Sequence, residues 1–202
     1  MNRIITIGRE FGSGGRELGR RLSEKLGIAY YDQEIMTEIA NRTELSEQYI
    51  QRIVEHKPIL SFPIHTGRTL LALSTANRSP LEQNLEIFRE QTNIIREMAQ
   101  NSDCVIVGRC ADYVLHDAGP LRVFVYADLE SRLQRCLEKA PPEEHRAKKD
   151  LRQHITEVDR HRAKYYAFYT GQRWGDRHNY DICINTARIS IYEWVEVLEK
   201  LV

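Results

Sequence analysis

Short apolar runs alternate along the chain with longer segments in which apolar residues recur at helical spacing. Five of these runs are bounded by glycine or polar residues and predict buried strands. They are Ile4–Ile7, Ile28–Tyr31, Cys104–Val107, Leu121–Tyr126 and Tyr180–Asn185. Strands that are apolar on both faces and separated by helices are typical of a parallel sheet covered on both sides. The pattern therefore predicts an α/β fold with a five-stranded parallel sheet.

Apolar residues three and four positions apart predict the helices between these strands. One helix ends near residue 26, and the others cover about 35–40, 45–54, 81–100, 129–139, 151–166 and 191–201. Two stretches interrupt the pattern. Residues 57–80 contain three prolines and predict a loop, and loops that long are more often functional or mobile than simple connections. Ala140–Pro142 breaks a helix and opens a charged stretch.

Composition favours one domain without a strong overall charge. The chain has 202 residues, of which 42% are hydrophobic, enough to bury one good core. Lys+Arg and Asp+Glu both number 29, so the net charge is zero and no overall field would hold a nucleic-acid polymer. No apolar run approaches about 18 residues and no signal peptide precedes the first strand, which favours a cytoplasmic protein without a membrane segment. The four cysteines lack metal-ligand spacing and fit a reducing compartment.

A glycine-rich segment, Gly12-Ser13-Gly14-Gly15-Arg16, follows the first strand and opens a helix. Glycines in that position let backbone N–H groups approach a phosphate at the helix N-terminus. The alternative is a tight strand-to-helix turn without a ligand, but three glycines in four residues exceed what a turn needs. The common phosphate-loop pattern G-x-x-x-x-G-K-[ST] has a lysine after its last glycine. Arg16 stands there instead, and it is the first candidate for the lysine's charge, with Arg9 the second.

Other candidate residues fall where parallel strands end, because ligands bind beyond the carboxyl ends of such strands. Asp32 follows the second strand and Arg109 the third. Arg109 would hold a phosphate through its bidentate fork or form a surface salt bridge, and the residue alone does not decide between them. Asp159 and Arg162 are three apart and share a helix face. A solvated helix with paired charges is the commoner meaning of that spacing.

In order and spacing these segments resemble the cytidylate kinase-like group of the nucleoside monophosphate kinases. The resemblance extends from residue 4 to about residue 195. It comprises the first strand with its glycine loop, Tyr31-Asp32, Gly108-Arg109, the Glu130–Arg135 helix start, the Asp159-x-x-Arg162 pair and the final strand Asp181–Thr186. It favours a functional role for Arg109 and for the Asp159–Arg162 pair.

The resemblance implies a three-layer α/β/α P-loop NTPase fold and one kinase-like domain over residues 1–202. A helical acceptor-side insertion would cover 43–100 and a lid 140–165. The implied reaction transfers the γ-phosphate of ATP, with Mg²⁺, to a nucleoside monophosphate, CMP or dCMP first. Implied ATP-binding residues are Gly12, Ser13, Gly14, Gly15, Arg16 and Glu17; acceptor-binding residues are Asp32, Arg109, Asp159 and Arg162; catalytic residues are Arg16, Arg109 and Arg162; and metal ligands are Glu17 and Asp32.

The chain also departs from the family pattern. Gly15 takes the place of the loop lysine when the glycines are aligned, and Cys110 takes the place of the aspartate expected after the acceptor arginine. The missing lysine leaves open an ATP-binding sensor or regulatory module without catalysis. Residues 43–100 do not match the family's acceptor domain, which leaves open a kinase for a non-nucleotide acceptor. A homodimer through the helix Leu81–Gln100 is a further possibility.

Overall fold

All five predicted strands are present and form one sheet. The structure, a computed structural model, describes residues 2–43, 45–51, 80–139 and 148–202. The strands are β1 (Ile4–Arg9), β2 (Ala29–Tyr31), β3 (Cys104–Val107), β4 (Leu121–Tyr126) and β5 (Ile182–Asn185). Their order is β2-β3-β1-β4-β5, and each neighbouring pair is parallel. The predicted α/β fold with a five-stranded parallel sheet is confirmed.

The predicted helices are present with different ends, and one short helix, at Ala111–Val114, was not predicted. They are α1 (Gly15–Leu26), α2 (Glu34–Thr43), α3 (Glu47–Gln51), α4 (Pro80–Asn101), α5 (Ala111–Val114), α6 (Leu129–Lys139), α7 (Lys148–Thr170) and α8 (Ile191–Glu199). Helix α7 continues past the predicted end at 166, where Tyr169 stacks on Phe88 of α4 with ring centroids 4.1 Å apart. Residues 52–54 of a predicted helix, 57–79 of the predicted loop at 57–80 and 140–147 of the predicted lid lie outside the described residues, and Pro80 begins α4.

Helices cover both faces of the sheet and make three layers. On one face Ile106 packs with α2 and α4, including Ile39 and Ile95. On the other face Ile7 packs with α1 and α8 through residues such as Leu18. Each fully buried side chain of this kind contributes about 1.5–3 kcal/mol. The two cores hold the central strands β1 and β3 firmly, so the backbone beyond their carboxyl ends is well positioned.

None of the described helices is long and apolar enough to cross a membrane.

Candidate functional site

The glycine loop connects β1 to α1 and is shaped by its own backbone. Gly12 and Gly14 have φ values of 76° and 85°, in the left-handed region that glycine adopts most easily. The Ser13 hydroxyl donates to the carbonyl of Glu10 at 2.8 Å, which folds the loop back on itself. Gly14 is the N-cap of α1, so the first N–H groups of that helix point towards the loop. The loop therefore leads directly into a helix N-terminus, a place that favours anions, and phosphate binding there stays a prediction.

Arg9, at the end of β1, lies buried beneath this loop. It is 8% exposed, and its Nη2 lies 3.5 Å from Oδ1 of Asp32. Burial is the largest cause that lowers the pKa of Arg9; together with the neighbouring guanidiniums of Arg162, Arg109 and Arg16, and against the opposing effect of Asp32, it brings the pKa to about 9. Arg9 therefore lies close enough to three other guanidiniums to be repelled by them, and it shares the carboxylate of Asp32 with Arg16.

Asp32 lies between the glycine loop and an open groove on the outside of the molecule. Arg16 contacts Asp32 with Nε 2.5 Å from Oδ2, and the Arg16 side chain is 53% exposed. Arg16 and Asp32 both line an open groove of about 410 Å³ between α1 and the residues that follow β2. Arg9 instead lines an inner pocket. The first and second candidates for the lysine's charge thus bind the same carboxylate from different sides.

The inner pocket lies beyond the carboxyl ends of β1 and β3 and has a volume of about 50 Å³. It combines three arginines with a carboxylate and an aromatic wall. Its lining includes Arg9, Arg109, Arg162, Asp112, Tyr165, Tyr166, Trp174 and Tyr180. Arg162 also donates from Nη1 to the carbonyl of Arg9 at 3.3 Å. The structure thus brings the predicted residues Arg109 and Arg162 into one pocket, together with Arg9.

The backbone that carries Arg109 is strained. Gly108, Arg109 and Cys110 have φ values of 75°, 60° and 55°, three successive left-handed residues of which only one is glycine. Such strain persists only where surrounding contacts enforce it, and it is common at functional sites. Gln91 of α4 supplies one such contact, because its Nε2 donates to the carbonyl of Arg109 at 2.9 Å. Tyr165 of α7 in turn donates its hydroxyl to Oε1 of Gln91 at 3.3 Å.

Gln91 was not predicted as a site residue, although the sequence contains a signal for it. Gln91 is fully buried between Ile87 and Ile94, which are four and three positions away on the same face of α4. A polar residue at a core position must find hydrogen-bond partners inside the protein. Its position therefore indicates a structural task, although the partners are visible only in the folded chain.

Asp112 is a second buried carboxylate at the pocket. The Tyr166 hydroxyl donates to its Oδ2 at 2.6 Å. Burial raises the pKa of Asp112, and the hydrogen bond from Tyr166 opposes that rise. Burial also raises the pKa of the neighbouring Cys110 thiol, which keeps this cysteine protonated and unreactive.

Replacing Asp112 with asparagine should change how stability depends on pH. Because the pKa of Asp112 is higher in the native protein, the unfolded chain loses this proton first as the pH rises. As the pH rises above about 4, the parent therefore loses stability until the native carboxyl also ionises, and the loss remains above that pH. Asparagine can still accept from Tyr166 but has no proton to lose. The stability of the variant relative to the parent should therefore increase as the pH rises above about 4 in urea titrations, and a pH-independent difference would contradict this.

Asp159 does not line the pocket with Arg162; it binds the glycine loop. Its Oδ1 accepts a hydrogen bond from the backbone N–H of Phe11 at 2.7 Å. Its Oδ2 forms an ion pair with Arg132 of α6, which also donates to the Phe11 carbonyl at 3.2 Å. Arg132 lies 3.5 Å from Oε2 of Glu10 as well. These contacts tie α6 and α7 to the loop, and the acceptor-binding role of Asp159 stays a prediction.

Two more cations of α6 reach the same loop. Arg135 donates from Nη1 to the Gly12 carbonyl at 2.8 Å and from Nη2 to the Thr186 carbonyl at 3.0 Å. Lys139 forms an ion pair with Glu17 at the start of α1. Together with Arg132 these residues lie three and four positions apart, so they share one face of α6. That face therefore contacts both the glycine loop and the start of α1.

The predicted metal ligands are both paired with cations. Partial burial acts to raise the pKa of Glu17, but hydrogen bonds from Lys139 and Arg21 lower it overall. Asp32 contacts Arg16 and Arg9. Within the described ranges no group of three or more His, Cys, Asp or Glu side chains could hold a metal ion. Because both carboxylates pair with cations in this arrangement, neither fits a resident Mg²⁺. We therefore assign no catalytic step to a metal ion held by the protein.

Comparisons with solved structures support the fold. An uncharacterized protein from Eubacterium ventriosum has a TM-score of 0.71 and 26% identity, with 99% of this chain and 98% of that chain covered. Shikimate kinase from Bacteroides thetaiotaomicron has a TM-score of 0.57 at 15% identity, covering 98% and 97%. Shikimate kinase from Acinetobacter baumannii, in complex with shikimate, has a TM-score of 0.51 at 17% identity, covering 100% and 92%. The shikimate kinases show the fold alone, and the predicted three-layer α/β/α fold is confirmed.

Sequence comparisons show the family. A protein named cytidylate kinase from Methanopyrus kandleri is 26% identical over 209 residues, with 98% of this chain and 92% of the relative covered. The family model described as "Cytidylate kinase-like family" matches residues 4–188, nearly the whole chain. The chain therefore belongs to the cytidylate kinase-like family and is a phosphotransferase.

Proposed function

We propose that this phosphotransferase moves the γ-phosphate of ATP to a nucleoside monophosphate, with CMP and dCMP as the first candidates. The observation that supports the proposal is a cluster of guanidiniums around Arg9: Arg109 and Arg162 share the inner pocket with it, and Arg16 shares its partner Asp32. Phosphoryl transfer depends on positioning and on cations that neutralise the transferred group. Four guanidiniums with the two carboxylates of Asp32 and Asp112 leave an excess of positive charge that suits two phosphate-bearing substrates.

Each part of the site has a role in this proposal. ATP lies over Gly12–Glu17, where the first N–H groups of α1 hold its phosphates. Arg16 stands at the outer side of the loop, oriented by Asp32, and Arg109 and Arg162 hold the acceptor phosphate in the inner pocket. ATP enters as its magnesium complex, so Mg²⁺ belongs to the donor substrate. Lid closure over residues 140–165 would exclude water from the reacting phosphate.

We further propose three properties of the whole protein. The protein is a single kinase-like domain with a helical acceptor-side insertion over 43–100. It acts in the cytoplasm. It forms a homodimer through α4, on which Leu81 and Leu85 are exposed. Sedimentation velocity would test the dimer, and a monomer at all concentrations would contradict it.

The test of the proposed function is an acceptor screen at saturating MgATP. ADP formation is followed with CMP, dCMP, UMP, AMP and GMP, and the product is identified by chromatography. We expect CMP or dCMP to raise ADP formation well above the acceptor-free rate. If no monophosphate is phosphorylated, the nucleoside monophosphate kinase assignment is wrong. Tight ATP binding without transfer to any acceptor would support the regulatory alternative.

Replacing Arg109 with alanine should weaken acceptor binding. Removal of one charge-assisted phosphate contact costs about 1.5–3 kcal/mol, which corresponds to a rise of roughly 10- to 100-fold in the KM for the acceptor. The KM for ATP should change much less, because ATP lies over the loop. Steady-state kinetics measure both constants, and the unfolding midpoint shows that the fold is kept. Unchanged turnover of every accepted monophosphate would remove Arg109 from the site.

One observation favours a second candidate, a kinase for a small non-nucleotide acceptor. The inner pocket has a volume of about 50 Å³, whereas ligand sites usually occupy about 300–1,000 Å³. A small hydroxylated anion would require less enlargement of this pocket than a pyrimidine nucleotide would. The same screen should therefore include phosphorylated and carboxylated small alcohols. Transfer to one of them, with none to a monophosphate, would establish this candidate.

A further inference from the structure

We propose that Arg9, and not Arg16, supplies the positive charge that a phosphate-loop lysine would supply, and that Gly15 is glycine because the Arg9 side chain fills its space. The inference rests on the proposed function, since it concerns the donor-phosphate end of the same site. In this arrangement the cation comes from the end of β1 instead of the start of α1. The missing lysine is then a relocation of charge, not a loss of it.

The first observation concerns Gly15. Its φ is not in the left-handed region, unlike those of Gly12 and Gly14, so its backbone does not require glycine. A Cβ added at Gly15 would lie 2.5 Å from Cβ of Arg9 and 3.2 Å from its Cγ. Real Cβ contacts essentially never become that short, so a side chain at residue 15 would force Arg9 to shift. A lysine at position 15 and an arginine at position 9 therefore compete for the same space.

The second observation concerns the far end of the Arg9 side chain. A Cβ at Gly108 would overlap the Arg9 guanidinium, whose Cζ would be 2.7 Å away. The Arg9 side chain thus runs from beneath Gly15 to the backbone of Gly108. The side chain therefore lies between the glycine loop and the strained segment that carries Arg109. Its charge ends in the inner pocket, between the positions proposed for donor and acceptor.

The third observation is electrostatic. Arg9 is buried, and its ion contact with Asp32 is 3.5 Å long. Three other arginines act on it unfavourably, so its charge is costly in the structure as it stands. An anion in the pocket would offset this cost, because desolvated cations bind anions more strongly than exposed ones do. Arg16 has a closer contact with Asp32 and an exposed side chain, so it gains less from a bound phosphate.

The experiment exchanges the two positions. The variants are Arg9→Met, Arg16→Met, Arg9→Gly, Gly15→Lys and the double variant Arg9→Gly with Gly15→Lys. Lys25→Ala is the control, because Lys25 lies in the last turn of α1 and pairs with Glu196 on the surface. Two readouts are measured, calorimetric binding of inorganic tripolyphosphate and kinetics with MgATP. Thermal unfolding shows which variants are folded.

We expect Arg9→Met to weaken tripolyphosphate binding at least tenfold and to lower kcat by roughly 100-fold. Gly15→Lys should lose as much, since the new side chain displaces Arg9. The double variant should bind tripolyphosphate at least tenfold better than either Arg9→Gly or Gly15→Lys, because lysine then enters the space that arginine has left. Lys25→Ala should match the parent. If Arg9→Met is unfolded, the comparison of the double variant with its two single variants carries the test.

Other outcomes would overturn the inference. If Arg9→Met binds tripolyphosphate as tightly as the parent and has the same kcat, Arg9 does not supply the charge. The proposed function would still stand. A larger loss in Arg16→Met than in Arg9→Met would assign the charge to Arg16. A double variant no better than its single variants would contradict the exchange of space. If the parent transfers phosphate to no acceptor, the proposed function fails, and the tripolyphosphate measurements alone decide the role of Arg9.

Discussion

Replacing Gly108 with alanine should lower the free energy of unfolding by about 2–5 kcal/mol and remove most of the activity. The residue has a φ of 75°, and an alanine there costs about 1–2 kcal/mol in backbone energy. The added methyl group also overlaps the Arg9 guanidinium, and overpacking of a buried site costs about 1–3 kcal/mol more. Displacement of Arg9 would disturb the pocket as well as the fold. Urea unfolding and kcat/KM measure the two effects.

Gly27 provides a matched control for this prediction. It has a φ of 66°, close to that of Gly108, but no atom lies within 4 Å of the position that its Cβ would take. Gly27→Ala should therefore carry the backbone cost alone, about 1–2 kcal/mol, with activity unchanged. The difference between the two variants measures the contact with Arg9. Equal losses of stability, with activity kept in both, would show that Arg9 moves aside without consequence.

Much of the fold could be predicted because it depends on local patterns. Each buried strand is an apolar run, and each helix repeats its apolar residues at the spacing that faces the sheet. The differences are at the ends of the elements. Strand β1 continues to Arg9, because Gly8 and Arg9 still pair with Phe124 and Val125 of β4. An apolar run gives no sign of a strand that ends on a buried arginine.

The candidate site could be predicted in part, for a topological reason. Parallel strands bring their carboxyl ends to one edge, so Arg109 and the glycine loop were expected to be neighbours. The direction of the Arg9 side chain could not be predicted, because it depends on the space left by Gly15 and Gly108 together. The hydrogen bond between the Phe11 N–H and Asp159 joins residues 148 positions apart, and no local sequence pattern predicts such a contact. Long-range side-chain contacts of this kind determine which charges are offered to a ligand.

Replacing Asp159 with alanine should lower the free energy of unfolding by about 3–5 kcal/mol. Asp159 and Arg132 are both largely buried, and removal of one partner leaves the other charge without its closest counter-ion. The variant also loses the acceptor for the N–H of Phe11, at the start of the glycine loop. We therefore expect the KM for ATP to rise at least as much as the KM for the acceptor. Asp150→Ala is the control, because Asp150 is exposed in the first turn of the same helix.

A double variant separates the structural role of Asp159 from a direct role in binding. Leucine at 159 with methionine at 132 replaces the ion pair by apolar side chains, and such replacements are often neutral or stabilising. We expect this variant to recover most of the stability lost in Asp159→Ala. It should recover little activity, because the loop still lacks both partners of Phe11 that the ion pair supplied. An Asp159→Ala variant of unchanged stability, with only the acceptor KM raised, would instead support direct contact between Asp159 and the acceptor.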